Sequence, residues 1–287
     1  MMRNAAFNKI RGSVHKQWRS AVLHVVLLVV TIITIFPFIW MLSTSLKNTT
    51  LVFSFPPKLI PNPVTWENYS EAWKQTDMLR ALINSMTIAL TATIGNVIVS
   101  SMVAYSFAKI DFKWKNAWFM LVLATVMIPY QVILIPLFVT FKTLGWINTF
   151  YPLIVPSLLG SASNVFLMRQ YIMRIPDAYR DSAYIDGCGH FAIWWRIIMP
   201  MAIPMVVSIS VLMFMGKWND FLGPMLYLSS PSKMTVPLVL RRFQSQYSTK
   251  WNLLMAAACI ALAPIITLYL ISQKYIIGGI MLGGVKG

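Results

Sequence analysis

The stretch Asp181-Ser182-Ala183-Tyr184-Ile185-Asp186-Gly187, which runs on to Arg196-Ile197-Ile198-Met199-Pro200, is a polar segment between long hydrophobic runs. It has helical spacing, with a glycine in its middle and a proline at its end. Glycine permits a sharp bend that other residues resist, and proline interrupts helical hydrogen bonding. The segment is therefore predicted to form two short helices joined by a bend, lying outside the hydrocarbon of a membrane.

The composition indicates an integral membrane protein. The 287 residues are 57% hydrophobic and 11% charged, whereas ordinary soluble domains are about 25% charged. A soluble fold of this length cannot bury so much apolar surface. The net charge of +16 comes mostly from Lys and Arg between the hydrophobic runs, where such residues fix orientation. No basic stripe alternates with exposed aromatic residues, so nucleic-acid binding is not expected.

Six hydrophobic runs are long enough to cross a bilayer, which takes about 20 residues of helix. They must be helical, because backbone groups in lipid have no water to bond. The predicted spans are 21–43, 81–107, 117–140, 149–171, 201–221 and 252–273. If the N-terminus is inside, the inner segments carry 14 Lys and Arg and the outer segments carry 9. This bias predicts an all-α membrane protein with both termini cytoplasmic.

The first 19 residues are basic, and the apolar run that follows is longer than the core of a signal peptide, so we interpret it as an uncleaved first span. The two cysteines, Cys188 in the polar loop and Cys259 in a span, are not expected to pair. The predicted organisation is a cytoplasmic N-terminal segment at 1–19, the first span and outer loop at 20–80, a core transmembrane domain at 81–273 with a cytoplasmic loop at 174–200, and a cytoplasmic tail at 274–287.

Span two carries two rows of small residues spaced mostly four apart, which let helices approach closely in lipid. The rows are Ala81, Ser85, Ala89, Thr93 and Ser101, and Ala92, Asn96, Ser100 and Ala104. They are predicted to pack on another helix, either of this chain or of a partner. Span three is interrupted by Pro129 and Pro136, which predicts kinks covered by protein or facing a cavity.

The longest outer loop contains a predicted amphipathic helix at 66–73. Its residues Trp66, Tyr69 and Trp73 recur at spacings of three and four, which places them on one helical face. We interpret this face as an aromatic anchor at the membrane interface. A lid or a docking surface is the alternative.

The sequence offers no motif that supplies energy or chemistry. The C-terminal Gly-Gly-Val-Lys-Gly lacks the spacing of a nucleotide-binding loop, no histidine has a second ligand at metal-site spacing, and no nucleophile motif is visible. We therefore expect a non-enzymatic transport subunit that binds no cofactor or metal itself. The alternative, a self-sufficient secondary transporter or channel, needs inverted repeats or a buried ion relay, and the sequence displays neither.

The polar segment resembles a motif of a known protein family. Ile175-Pro176, then Asp181, Ser182 and Ala183, then Asp186-Gly187 and finally Pro200 resemble the signature loop of the permease subunits of binding-protein-dependent ABC importers. The chain departs from that pattern at Asp181, Ser182 and Cys188, where the family usually has Glu, Ala and Ala. Each replacement is similar in size or charge.

Other segments resemble the carbohydrate-uptake branch of that family, the maltose and glycerol-phosphate type. These segments are 84–85, 127–132, 135–137, 166–170, 218–222, 251–252, 255–257, 273–275 and 284–287. The resemblance covers most of the chain from the first span onward. It implies the type I ABC importer permease fold, with six spans and both termini cytoplasmic, in a bacterial cell membrane.

The resemblance also implies partners. These are a second related permease subunit, two copies of a cytoplasmic ABC ATPase that binds ATP and magnesium, and an extracytoplasmic solute-binding protein that delivers a sugar. The predicted function is a permease subunit of an ATP-driven importer of an oligosaccharide or related solute, in which this chain forms half of the pathway. A permease for a non-sugar solute, such as a glycerol-phosphate ester, is the alternative.

By this resemblance the loop at 177–200 couples to the ATPase. The predicted coupling residues are Asp181, Ser182, Ala183, Asp186, Gly187, His190 and Pro200. Taken alone, Gly187 is also explained as an ordinary helix-ending glycine. Asp186 is predicted to cap the second helical stretch or to meet a basic ATPase residue, and His190 is a contact candidate.

Polar residues in the kinked spans are the candidates for the substrate pathway. They are Tyr130, Gln131, Asn164, Trp218 and Asn219. Interhelical hydrogen bonding explains them equally well. Lys217 and Asp220, three residues apart, are expected to pair with each other, which reduces the cost of placing charge at membrane depth.

Overall fold

The protein folds almost entirely as α-helix. A computed structural model describes residues 2–244 and 249–284, with side chains described at 18–244 and 249–275. The predicted terminal segments therefore lie partly outside the described residues. The helices are α1 (Met2–Ser45), α2 (Glu67–Gln75), α3 (Met78–Lys109), α4 (Lys115–Ala124), α5 (Tyr130–Thr143), α6 (Tyr151–Leu158), α7 (Ala162–Ile172), α8 (Asp177–Ile185), α9 (His190–Ile193), α10 (Met199–Met201), α11 (Ile203–Trp218), α12 (Leu222–Tyr227), α13 (Val236–Arg241) and α14 (Trp251–Gly284).

Among the described residues, four helical segments are long and apolar enough to cross a membrane. They are Trp18–Ser45, Met78–Lys109, Tyr151–Ile172 and Trp251–Tyr275. Two further segments are bent pairs. Lys115–Met127 and Tyr130–Thr143 meet at 92°, and His190–Met201 and Ile203–Trp218 meet at 82°. The chain thus has up to six spans if each bent pair counts as one. The first bend lies within the third predicted span, for which kinks were predicted, and the second lies at the start of the fifth, whose range 201–221 contains the single helix Ile203–Trp218.

Proline explains the larger bend. Pro129 caps the N-terminus of α5, and Ile128 before it is extended, with φ −83° and ψ 111°, as steric crowding by a following proline favours. The kink predicted at Pro129 is confirmed. Pro136 lies inside α5 without ending it.

Helix α3 is the centre of the fold, and it packs on α6, α7 and α11. Both predicted rows of small residues are buried along it. Ala92, Ser100 and Ala104 have no exposed surface, and Asn96 is 1% exposed. The close helix approach predicted from these rows is therefore confirmed, and the partners are helices of this chain.

A polar cluster around Asn96 ties α3 to the junction between α6 and α7. The Asn96 amide donates to the Ser157 carbonyl at 2.9 Å, and its Oδ1 accepts from Asn164 Nδ2 at 2.7 Å and from Ser100 Oγ at 3.2 Å. Gly160 stands at this junction with φ +83°, a backbone conformation that suits glycine. The fourth span consequently holds a break that its hydrophobic pattern did not reveal.

The predicted amphipathic helix is present as α2, beginning immediately after Trp66. Its inner face is formed by Asn68 and Ala72, which are buried, while Trp66 and Trp73 are exposed. Asn68 donates to the carbonyls of Ser45 and Lys47, both at 2.8 Å, and accepts from Asn252 at 2.9 Å. One buried amide thus joins the ends of α1, α2 and α14.

Candidate functional site

The segment at 177–200, which we call the elbow, is fastened to the end of α3. Lys109, the last residue of α3, is buried and donates from Nζ to Asp177 Oδ1 at 2.8 Å and to the Ile175 carbonyl. Arg180 donates back to the Lys109 carbonyl at 2.7 Å and pairs with Asp181 at 2.8 Å. The hydrogen bond from Lys109 holds the pKa of the Asp177 carboxyl below its ordinary value. The first arm of the elbow, α8, is therefore held by charge-assisted hydrogen bonds.

The bend is a Schellman motif centred on Gly187. The Cys188 amide donates to the Ala183 carbonyl at 2.9 Å, and the Gly187 amide donates to the Tyr184 carbonyl at 3.0 Å. Gly187 has φ +79°, and this pair of bonds with a left-handed glycine is the usual motif that ends a helix. The sharp bend predicted at Gly187 is confirmed, and its geometry is that of a helix-ending glycine.

The second arm runs from α9 through a π-helical turn at Trp194–Ile198 into α10. Trp194 and Ile198 are buried, and Ile197 packs beside them in the same hydrophobic cluster. The Tyr184 hydroxyl lies 2.8 Å from Nε2 of His190, which links the two arms across the bend. The helix continues through Pro200 to Met201 instead of ending at Pro200, because a proline in the first turn of a helical segment is tolerated.

The tip of the elbow presents apolar side chains to its surroundings. Ile185 is 88% exposed and Phe191 is 66% exposed. Gly187 is exposed, and a Cβ added there meets no atom within 4 Å. The predicted coupling residues Asp181, Ser182, Asp186, His190 and Pro200 are also exposed. This surface is chemically suited to helix-in-groove docking on another protein.

The structure places Ala183 away from the exposed surface and corrects the predicted capping role of Asp186. Ala183 is only 5% exposed and lies in the cluster formed by α3, α7 and α9, so its small side chain allows packing within this chain. Asp186 does not cap the second arm, because Gly189 is the N-cap of α9 and no side chain bonds there. Asp186 instead ends α8, with its backbone amide donating to the Ser182 carbonyl at 3.1 Å.

The structure does not bring the substrate-pathway candidates together. Trp218 is 2% exposed and stacks on Phe214 with ring centroids 5.6 Å apart, so its ring is covered by this chain and its place in the pathway stays a prediction. The Asn164 amide donates a hydrogen bond to Asn96 Oδ1. Tyr130 and Gln131 at the start of α5 and Asn219 at the end of α11 are exposed.

Lys217 and Asp220 do not form the expected ion pair. Lys217 Nζ donates to the Leu153 carbonyl at 3.3 Å, and Asp220 Oδ1 accepts from the Gly223 amide at 3.1 Å. Each charge therefore has its own backbone partner near the end of α11.

Sequence reasoning missed the residues that hold the elbow. Lys109 and Arg180 look like ordinary basic residues that fix topology, and Tyr105 looks like part of a span. The partners that join them to distant segments are 66 to 85 positions away, so no spacing in the sequence reveals these contacts. The one local signal is Asp177 directly after Pro176, at the start of α8.

Comparisons with known proteins agree with this architecture. Residues 96–280 match the family described as "Binding-protein-dependent transport system inner membrane component". The arabinooligosaccharides transport system permease protein AraQ of Halalkalibacterium halodurans is 31% identical over 261 residues, covering 90% of this chain and 93% of that protein. The sn-glycerol-3-phosphate transport system permease protein UgpE of Yersinia enterocolitica is 31% identical over 267 residues, covering 90% and 94%.

A solved structure shares the fold. A chain of a bacterial ABC transporter involved in the import of the acidic polysaccharide alginate superimposes with a TM-score of 0.79 at 19% identity, covering 90% of this chain and 96% of that one. The type I ABC importer permease fold predicted from the sequence is thereby confirmed. The protein belongs to the family of inner membrane components of binding-protein-dependent transport systems, the permease subunits of ABC importers.

Proposed function

We propose that this chain is a permease subunit of an ATP-driven sugar importer and that the elbow docks on a cytoplasmic ATPase. One observation carries the proposal. The elbow combines a rigid attachment to α3 with an exposed apolar tip at Ile185 and Phe191. Exposed apolar side chains on a fixed support mark interaction surfaces.

The attachment explains how force on the elbow reaches the membrane domain. Lys109 and Arg180 connect α8 to the last residue of α3, and α3 packs along most of its length on α6, α7 and α11. A displacement of the tip therefore moves a central helix instead of a loose loop. Such a packed element, biased by nucleotide on a partner, switches between two arrangements of the domain.

The proposed assembly has both termini and the elbow on the cytoplasmic side of a bacterial cell membrane. The partners are a second related permease, two ATPase subunits that bind ATP and magnesium, and an extracytoplasmic binding protein. Exposed residues Tyr130, Gln131 and Asn219 are available to line a pathway completed by the second permease. An oligosaccharide or a glycerol-phosphate ester is the proposed solute, since named relatives carry arabinooligosaccharides and sn-glycerol-3-phosphate.

A cysteine experiment tests the docking and the topology together. Cys188 and Cys259 are unpaired, so both are replaced by serine and one cysteine is introduced at Ile185 at the elbow tip. The matched control carries Glu71→Cys on α2, which is also exposed. In sealed right-side-out vesicles, an impermeant maleimide should label position 71 and spare position 185. A short bifunctional reagent should join position 185, and not 71, to the ATPase. Labelling of position 185 from outside, or no ATPase adduct, would refute the proposal.

A further inference from the structure

An apolar groove of about 470 Å³ lies where α1 ends and α14 begins. Trp40 and Thr44, one turn apart on α1, form one wall, and Trp251 and Met255, one turn apart on α14, form another. The loop at 52–57 closes the end of the groove, with Phe53 packed edge-on against Trp251 at 6.4 Å between ring centroids. Ser45 and Trp251 are the terminal residues of two candidate membrane spans. The groove therefore lies at the level of lipid headgroups and the first part of the acyl chains.

A buried hydroxyl in this groove has no partner. Thr44 is 5% exposed, lines the groove, and its Oγ1 makes no hydrogen bond among the described residues. By contrast, Thr31 and Thr34 on the same helix donate to the carbonyls of Leu27 and Val30, both at 2.7 Å. A buried polar group is normally satisfied, so the orphaned Thr44 hydroxyl indicates an acceptor supplied by a ligand.

A buried cation lies beside the groove. Lys47 is 2% exposed, and its Nζ lies 4.5 Å from the centre of the Trp40 ring that lines the groove. The ion pairs within 4.0 Å in the described part of the chain are formed by Arg80, Lys109, Lys115 and Arg180, and Lys47 is not among them. A buried ammonium without a carboxylate is costly, and an anionic ligand removes that cost.

We propose that the groove binds a membrane phospholipid, with one acyl chain lying between α1 and α14. The phosphate neutralises the charge of Lys47, and a headgroup oxygen accepts a hydrogen bond from the Thr44 hydroxyl. The chemistry matches at each point, since apolar walls, one donor and one unneutralised cation meet at the membrane interface. The bilayer can reach the groove along α1, because the most apolar 18 residues of its candidate span are not buried inside the chain, whereas the end of the span at Thr44 and Ser45 is buried.

Photo-crosslinking in the assembled complex tests the site. A phosphatidylglycerol with a photoreactive acyl chain should label residues at 52–57 and 251–255 in preference to the outward face of α1. Lys47→Met should lower this labelling about tenfold, which is what loss of one charge-assisted hydrogen bond amounts to. Thr44→Val should lower it severalfold. The control Thr34→Val removes a hydroxyl that is already bonded to Val30, and it should have no effect.

A diacylglycerol with the same photoreactive chain lacks the phosphate. It therefore distinguishes recognition of the phosphate from nonspecific partition of an acyl chain into the groove. It should label the groove weakly and equally in wild type and Lys47→Met. Added phosphatidylglycerol should raise the thermal midpoint of the wild-type complex, and this rise should be lost in Lys47→Met. This variant is expected to fold, because Met keeps the aliphatic stem of Lys47 and removes a buried charge. The proposal is overturned by equal labelling with both probes, by labelling insensitive to Lys47→Met, or by groove labelling that appears only after partner subunits are removed.

Discussion

The ammonium group of Lys109 lies 2.8 Å from the carboxylate of Asp177, although 68 positions separate the two residues. This contact joins the end of the central helix α3 to the start of the elbow. Lys109 is nearly fully buried, while the Asp177 side chain is 59% exposed. The connection between the membrane domain and the elbow therefore depends on a buried lysine.

Replacing Lys109 by Met should weaken the coupling between the membrane domain and ATP hydrolysis by the partner subunits. The substitution keeps the buried aliphatic stem but removes the hydrogen bonds to Asp177 and Ile175. We expect solute-stimulated ATP hydrolysis of the reconstituted complex to fall at least about fivefold, the low end of typical coupling energies. Membrane insertion should be unchanged. The control is Lys113→Met, at an exposed lysine four positions away, and an equal loss in this control would contradict the assignment.

The attachment of the elbow should weaken in acid. The folded-state pKa of Asp177 is lowered by the Lys109 hydrogen bond, so its stabilisation is fully present above the ordinary value of 3.8 and is lost as pH falls through the lower folded-state pKa. Hydrogen exchange of the α8 amides, corrected for intrinsic rates, should be constant from neutral pH to about 5 and accelerate below the ordinary carboxyl range. Asp177→Asn should exchange fast already at neutral pH. A variant that keeps the wild-type profile would show that this carboxylate does not hold α8.

Gly187→Ala should impair coupling beyond its effect on stability. A left-handed backbone costs a non-glycine residue about 1–2 kcal/mol, and Gly187 has φ +79° with open space around its Cβ position. Gly145 is a matched control, because it ends α5 in the same hydrogen-bonding motif, with φ +69° and equally open space. Both variants should lose similar thermal stability, and only Gly187→Ala should reduce solute-stimulated ATP hydrolysis. Equal activity in the two variants would remove Gly187 from the coupling surface.

Asn96→Leu should destabilise the membrane domain. Its removal takes away the oxygen to which the Asn164 amide and the buried Ser100 hydroxyl donate, and an unsatisfied buried donor costs about 1–3 kcal/mol. The thermal midpoint of the purified protein should drop by several degrees. Asn219→Leu is the control, because Asn219 is exposed and its side chain donates to the Met215 carbonyl one turn earlier in the same helix. If the two variants had the same thermal midpoint, the polar cluster would not be holding α3 to the junction of α6 and α7.

The sequence predicted much of the membrane domain but not its interior contacts. The bend at Gly187, the break at Pro129 and the buried rows on α3 were visible because each depends on residues within one or two helical turns. The burial of Ala183 within this chain was not predicted, since a small residue at helical spacing can face a partner or the same chain equally well. Trp218 was assigned to the pathway because polarity near a kink does not reveal which neighbour covers the ring.

The sequence by itself determined that this is a helical membrane protein of the ABC permease family, because hydropathy, proline positions and the signature loop are local properties of consecutive residues. Only the tertiary structure decided that Lys109 holds Asp177, that Asn96 joins α3 to the break at Gly160, and that Lys47 is buried without a carboxylate. These relationships arise where helices distant in sequence pack together. The free energy of such contacts depends on burial and distance, and neither can be read from the order of residues along one helix.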